Sequence, residues 1–255
     1  MMKIVYGPVP SWRFGKSLGV DPICSLKKIC SFDCVYCQLG KTRDRTMERK
    51  EYVEFERVCK ELGDVDKSTA DVITFSGTGE PTLNQKIGDM ILYAGKFGFP
   101  VVVLTNSSLL HLKAVRNELG RADIVSAKLD APNERLFHKI NKPVEGIRFE
   151  DIVDGLRDFR KEFRGKFALQ MMFIKENQEA AVEMAEIARE LKPDEVQIDT
   201  PLRPSPVAPL SKDEIDQIED SFKDLPLISV YKKRKPHVVP LDIRETAARR
   251  PGEKF

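Results

Sequence analysis

No stretch of this chain approaches the roughly 20 consecutive apolar residues that a membrane span requires. The strongest apolar runs, Phe99 to Leu104 and Phe167 to Ile174, have the length of strands. The opening segment lacks an apolar core behind a basic head, because Pro8, Pro10, Trp12 and Arg13 interrupt it, and no secretory leader is expected. Histidine is scarce: His111, His138 and His237 show no ligand spacing. The phosphate-loop pattern G-x-x-x-x-G-K-[ST] is absent. Cysteine is too sparse and too clustered for a disulfide framework, since there are five and three of them lie within eight residues. A reducing cytoplasm fits that usage. What remains is 255 residues, 41% hydrophobic and 32% charged, enough apolar content for a real core.

The net charge of +2 hides an uneven distribution. Residues 1–50 carry ten Lys/Arg against four Asp/Glu, and residues 228–255 carry eight against three, leaving the middle acidic. Charges alike in sequence need not gather in space, and solvated surface explains most such runs. If the ends did meet, they would form a basic face for an anionic partner such as RNA.

From about residue 70, short β-branched runs alternate with longer helical patterns. Strands are expected at 71–75, 101–105, 124–129, 168–174 and 195–199, with helices at 87–97, 110–119, 133–140, 149–163 and 179–191. A strand at 17–23 and a helix at 53–62 complete six β/α units, the grammar of a parallel sheet in an α/β fold. Periodicity does not separate an open partial barrel from a doubly wound sheet. Both place ligands at the carboxyl ends of the strands. The main unit is read as residues 1–235, with its core at about 15–230, and residues 236–255 as a basic tail.

Cys30, Cys34 and Cys37 form C-x3-C-x2-C directly after the first of these strands. Structural zinc normally takes four ligands in two separated pairs, and a ferredoxin-type cluster also takes four cysteines. Three would leave one iron of a [4Fe–4S] cluster open to a ligand. Cys24 lies outside the spacing and reads as a buried or spare thiol, while Cys59 sits in a helical pattern as a core residue. The spacing, with Tyr36 before the last cysteine, resembles the signature of the radical S-adenosylmethionine superfamily. That resemblance implies a [4Fe–4S] cluster held by Cys30, Cys34 and Cys37. It also implies S-adenosylmethionine at the open iron, cleaved by one electron from a flavodoxin- or ferredoxin-type reductant into a 5′-deoxyadenosyl radical that abstracts hydrogen from a substrate. Zinc completed by Cys24 or a histidine, a non-enzymatic electron carrier and a zinc-stabilised nucleic-acid module are the competing classes.

Ser76-Gly77-Thr78-Gly79-Glu80-Pro81-Thr82 follows the strand at 71–75. Acidic Glu80 would repel phosphate and suits an ammonium, and glycines at 77 and 79 permit close backbone approach. The segment resembles the G-G-E-P motif of the same superfamily, with Thr78 where relatives often have glycine. The two motifs together imply a partial (β/α)6 barrel with cofactor contacts from Tyr36, Gly77, Thr78, Gly79 and Glu80. Asn106, Ser107, Lys128 and Asp130, at later strand ends, look like further ribose or carboxylate ligands, although Ser107 and Asp130 could equally cap the helices that follow.

GPVPSWRFGKSLGVD at the amino end and VQIDTPLRP near residue 200 are similar to the branch of iron–sulfur oxidoreductases related to wybutosine synthesis. The second cysteine cluster of the enzymes that make the tricyclic wybutosine precursor is missing here. Arg13, Gln197, Asp199, Thr200 and Arg203 are candidates for the substrate side, and no catalytic residue is singled out. A transfer RNA is the first substrate expected. A protein such as a glycyl-radical enzyme comes second.

Overall fold

The computed structural model describes residues 2–253. Among these described residues there are ten strands: β1 Val5–Ser11, β2 Gly15–Val20, β3 Ile29–Cys30, β4 Asp44–Arg45, β5 Val72–Phe75, β6 Val101–Thr105, β7 Ile124–Lys128, β8 Lys166–Met172, β9 Glu195–Asp199 and β10 Leu227–Ser229. Eight helices accompany them: α1 Phe55–Asp64, α2 Ile87–Gly95, α3 Lys113–Leu119, α4 Glu134–Asn141, α5 Phe149–Glu162, α6 Ala181–Leu191, α7 Lys212–Asp220 and α8 Ile243–Arg249.

Eight strands form one curled sheet in the order β1-β2-β5-β6-β7-β8-β9-β10, parallel throughout except for the β1–β2 hairpin. The alternative left open by periodicity is thereby decided in favour of a half-barrel. Six β/α units run from β2 to β9, as expected, and β10 extends the parallel run. The two-residue strands β3 and β4 pair separately and clamp the base of the cysteine loop.

A parallel sheet covered on both faces reads as a continuous apolar run, as β6 nearly does, but β7, β8 and β9 alternate. Phe167, Leu169 and Met171 of β8 are fully buried in the core, as are Val125 and Ala127 of β7 and Val196 and Ile198 of β9. Their intervening neighbours, Ser126, Lys128, Gln170, Gln197 and Asp199, are polar. The apolar face packs on the helices; α5, for example, presents Ile152, Val153, Leu156 and Phe159 at helical spacing. Glu150 and Asp151 in its first turn and Arg160 and Lys161 in its last complement the helix dipole. The polar face is left to line a cavity.

The two ends of the chain meet. Leu241 N donates to Gly7 O at 2.6 Å, Gly7 N donates to Thr246 Oγ1 at 3.0 Å, and α8 packs on β1. Part of the segment read as a basic tail is therefore helical and docked. Within it, the Arg249 side chain is fully buried and donates through Nε to Asp21 Oδ2 at 3.0 Å. Asp21, also fully buried, stands just past β2 and accepts from Ile23 N, Cys24 N, Thr78 N and Thr78 Oγ1 as well. One carboxylate thus joins the cysteine loop, the glycine loop and the C-terminal helix.

Removing one partner of a buried ion pair typically costs about 3–5 kcal/mol, because the other charge is left uncompensated. We expect Asp21→Asn and Arg249→Met each to lower stability by that order in urea denaturation, and the double variant to cost clearly less than the sum. Additive losses would show that the two side chains do not depend on one another.

Candidate active site

One cavity of about 280 Å³, open to solvent at its mouth, lies at the carboxyl ends of the parallel strands. That is the low end of the roughly 300–1,000 Å³ of small-molecule sites. Ser76 follows β5 into its wall, Asn106 follows β6, and Lys128, Met172 and Asp199 end β7, β8 and β9.

The Cys30, Cys34 and Cys37 side chains line one end of the cavity. Their loop is held at both sides. Ile29 bridges to Gly79, with Ile29 N donating to Thr78 O at 3.1 Å and Glu80 N to Ile29 O at 3.2 Å. At the other side Asp33 N and Val35 N donate to Asn141 O and Ile140 O, which satisfies carbonyls that the C-terminus of α4 would otherwise leave free. Phe32 packs edge-on against Phe137 of α4, ring centroids 5.3 Å apart.

Both glycines of the second motif are required by this contact. A Cβ at Gly79 would lie 1.7 Å from Ile29 O, and one at Gly77 would lie 2.1 Å from Asp21 Cγ. The close approach that glycine permits here is to the cysteine loop and to Asp21. Thr78 turns away from the cavity, donating its hydroxyl to Asp21 Oδ2 at 3.0 Å while accepting from Ser25 N at 3.0 Å.

The donor set suits a cluster better than a single ion. Among the described residues no three His, Cys, Asp or Glu side chains converge on a point where one metal could sit; a cubane instead spreads three thiolates over three irons. Asn106 Nδ2 donates to Cys30 Sγ at 3.5 Å and Asn141 Nδ2 to Cys34 Sγ at 3.4 Å, the kind of N–H contact that tunes a cluster's potential. Burial pushes the Cys30 thiol up to about 12 and the Cys34 thiol up to about 11, so each needs a cation to ionise. Lys28, buried beside all three sulfurs, helps to supply one. Cys24 does not reach the cavity, because its Sγ faces Lys3 O at 3.5 Å and Arg249 Nη2 at 3.5 Å. Cys59 is half-buried on α1, a correction to its reading as a core residue.

Glu80 reaches the same cavity and is 2% exposed. Oε1 accepts from Thr82 N, Thr82 Oγ1 and Thr105 Oγ1, and Oε2 from Asn106 N at 2.7 Å. Burial raises its pKa despite these four donors. Such a carboxylate is short of positive charge, and Oε2 keeps a free lone pair for an ammonium.

The remaining candidates divide. Tyr36, Gly77, Asn106 and Lys128 line the cavity; Thr78, Ser107 and Asp130 do not. Asp130, 2% exposed, stands behind Tyr36, accepting from its hydroxyl, from Asn141 Nδ2 at 2.9 Å and from Met172 N at 2.9 Å. Lys128 Nζ lies 4.8 Å from the Tyr36 ring centroid and donates to Gln170 Oε1 at 2.8 Å. Ser107 donates to Lys128 O at 2.8 Å. Neither Ser107 nor Asp130 caps a helix: Leu112 precedes α3 and offers no side-chain cap, and Asn133 caps α4.

Arg13, Asp199, Thr200 and Arg203 line the cavity wall, while Gln197 supports it from beneath. Arg13 Nη1 lies 3.4 Å from both Ser126 Oγ and Gln197 Oε1, and the guanidinium is 5.3 Å from the Phe14 ring centroid. Burial raises the Asp199 pKa against the pull of Arg13, Lys128 and Arg203. Sequence reasoning missed Lys28, Asn141, Asp21 and Arg250. Lys28 was signalled by its place two residues before Cys30, whereas Asn141 lies more than one hundred residues from the cysteine it faces.

Comparison with known proteins adds independent information. A family model described as the Radical SAM superfamily matches residues 25–188. A UPF0026 protein of Synechocystis is 40% identical over 205 residues, covering 80% of this chain and 77% of that protein. A UPF0026 protein of Methanocaldococcus jannaschii is 37% identical over 210 residues, again 80% of this chain but 65% of that protein, so the chain spans slightly less than two thirds of the archaeal relative. Among solved structures, TYW1 with a lysine-pyruvate adduct bound matches with a TM-score of 0.61 over 83% of this chain and 76% of that one; at 16% identity the likeness concerns the fold.

After anaerobic reconstitution with iron and sulfide, we expect Cys30→Ala, Cys34→Ala and Cys37→Ala each to lose most bound iron and Cys24→Ala to retain it. Iron loss in the Cys24 variant would mean that the ligand set is wrong.

Proposed function

The chain belongs to the radical S-adenosylmethionine superfamily, whose enzymes use a [4Fe–4S] cluster, S-adenosylmethionine and an external one-electron reductant, and on that premise we propose that this cavity generates a substrate radical by hydrogen abstraction. The observation that carries the reading is the sharing of one cavity by three thiols, a buried carboxylate and a cationic wall. Cluster and cofactor, when bound, supply reductive cleavage to methionine and a 5′-deoxyadenosyl radical.

The protein's own residues bind, orient and shield. Cys30, Cys34 and Cys37 hold the cluster, with Asn106 and Asn141 donating to two of the sulfurs. Glu80 takes the cofactor's ammonium, and its four internal donors keep the carboxylate in one orientation. Tyr36, fixed by Asp130, closes one side, and Lys128 beside it serves the cofactor's carboxylate or ribose. Arg13, Asp199, Thr200 and Arg203 face the substrate.

RNA is the substrate class we favour, with the enzyme working in the reducing cytoplasm. Six basic and two acidic side chains line the cavity, its mouth is open, and Lys233 and Arg234 are exposed beyond it. The basic run between β10 and α8 is only partly free, because Lys232 pairs with Glu219 and Lys235 with Glu253.

Charge-assisted hydrogen bonds contribute about 1.5–3 kcal/mol. Glu80→Gln should therefore weaken S-adenosylmethionine binding about ten- to a hundredfold while iron content stays constant. Normal cleavage to 5′-deoxyadenosine at limiting cofactor would remove Glu80 from that role, and no cleavage by the unmodified protein under strong reductant would favour an electron carrier. For the substrate, tRNA affinity should fall steeply with salt, since each neutralised phosphate releases counterions. Binding that ignores salt, or none at all, excludes RNA.

A further inference from the structure

The cationic wall is not evenly balanced. Arg13 enters it from the β1–β2 turn, Arg203 from the loop after β9, Lys235 from the segment after β10 and Arg250 from the residue after α8. Three of the four converge on one carboxylate. Glu253, whose side chain is 5% exposed, lies 2.9 Å from Lys235 Nζ, 3.0 Å from Arg250 Nη2 and 3.6 Å from Arg203 Nε. Glu253 itself does not line the cavity, so it holds its partners from behind. The only carboxylate among the residues lining this end is Asp199, which Gln170 Nε2 and Thr200 N already engage.

Among the described residues, four cations against two carboxylates leave two positive charges uncompensated. The cluster is also short of acceptors. Among the described residues, Arg203 Nη1 and Arg250 Nε are buried with no hydrogen-bond partner, and a buried donor left unmade costs free energy. Burial and the neighbouring Arg250 depress the Arg203 guanidinium to about 9 against the opposing pull of Glu253 and Asp199. Guanidinium forks engage phosphate oxygens in pairs, and lysine adds a point charge.

We propose that Arg13, Arg203, Lys235 and Arg250 form a phosphate subsite in the cavity wall, with Glu253 as the residue that positions three of them. The ligand is a phosphate group of the substrate, and the two uncompensated charges match a phosphomonoester dianion or two adjacent phosphodiesters. The assignment rests on the reading that this cavity holds the substrate, and it specifies how that substrate is gripped.

The test is calorimetric binding to the anaerobic holoenzyme with S-adenosylmethionine present, using uridine, uridine 5′-monophosphate and the dinucleotide UpU. At least one phosphate-bearing probe should bind about tenfold or more tighter than uridine, and the preference should shrink with added salt. Preference for the monophosphate identifies a terminal phosphomonoester, and preference for UpU identifies RNA backbone. Arg203→Gln and Arg250→Gln should abolish the preference, and Arg203→Lys should restore part of it. If the three probes bind the unmodified protein alike, or if both Gln variants keep the preference, the subsite is wrong. Cofactor cleavage measured on the same preparation reports the radical chemistry separately, so equal binding of the three probes by an unmodified protein that cleaves the cofactor normally counts against the subsite alone.

Discussion

The structure depends most on the charge of Asp21 at the end of β2. An ionised carboxylate without exposure is tolerated only when its lone pairs are filled and a cation lies beside it. Here Ile23 N and Cys24 N fill Oδ1, while Thr78 and Arg249 fill Oδ2. Those donors come from three segments far apart in the chain, so satisfying one charge fixes their relative positions. The cysteine loop cannot move against the glycine loop without exposing or orphaning Asp21. Arg249 is tied in turn to Glu245 of its own helix and lies over the Tyr6 ring, whose hydroxyl hydrogen-bonds Ser76. The C-terminal helix therefore belongs to the support of the site, although no residue of that helix lines the cavity.

From that fixed point a gradient of polarity follows along the cavity. At the thiol end, burial holds two sulfurs protonated unless a metal ion is bound, and the neighbouring Lys28 and asparagines favour negative sulfur. In the middle Glu80 is a carboxylate with its donors built in and its pKa raised. At the mouth the sign changes, and cations outnumber carboxylates. Each zone thus lacks the partner that the proposed occupant brings: metal for sulfur, ammonium for carboxylate, phosphate for guanidinium. In a site shielded from water these unmet demands count for more than they would at the surface.

Much of this was legible in the sequence, and the legible part has one physical character. Strands β6 and β9 fall on the expected residues, and α2, α4, α5 and α6 lie within two residues of expectation, because their periodicity is long and their apolar faces meet one core. β1 was missed because Pro8 and Pro10 break its run; an edge strand has one side free of ladder bonds and tolerates them. β10 has three residues, and α7 and α8 lie beyond the repeating β/α units that guided the reading. The cysteines and Glu80 were legible because their spacing is local. Asn141, Asp21 and Arg249 were not, since their roles exist only once β2, α4 and α8 have been brought together. Thr78 shows the other limit: its position in the motif was readable, but its hydroxyl serves Asp21.

The basic ends show why a charge count and a charge surface differ. Both termini read as strongly positive, yet much of that charge is internal. Arg45 stays exposed, but its guanidinium is engaged by the carbonyl oxygens of Lys142 and Pro143 at the foot of the cysteine loop. Arg49 bridges the carbonyls of Thr82 and Asn84 to Glu118, fastening the turn after Glu80 to α3. Lys28 lies among the sulfurs, Arg249 is enclosed, and Arg13, Arg203 and Arg250 face the cavity. What stays exposed is a smaller set, including Lys27, Lys41 and Arg43 on the cysteine loop and Lys233, Arg234 and Arg244 near the carboxyl end. A partner attracted by the sequence-level excess would meet this reduced surface first and the cavity cations afterwards. The distribution therefore favours a ligand that enters the mouth with its negative charge leading over one that only lies across the outside.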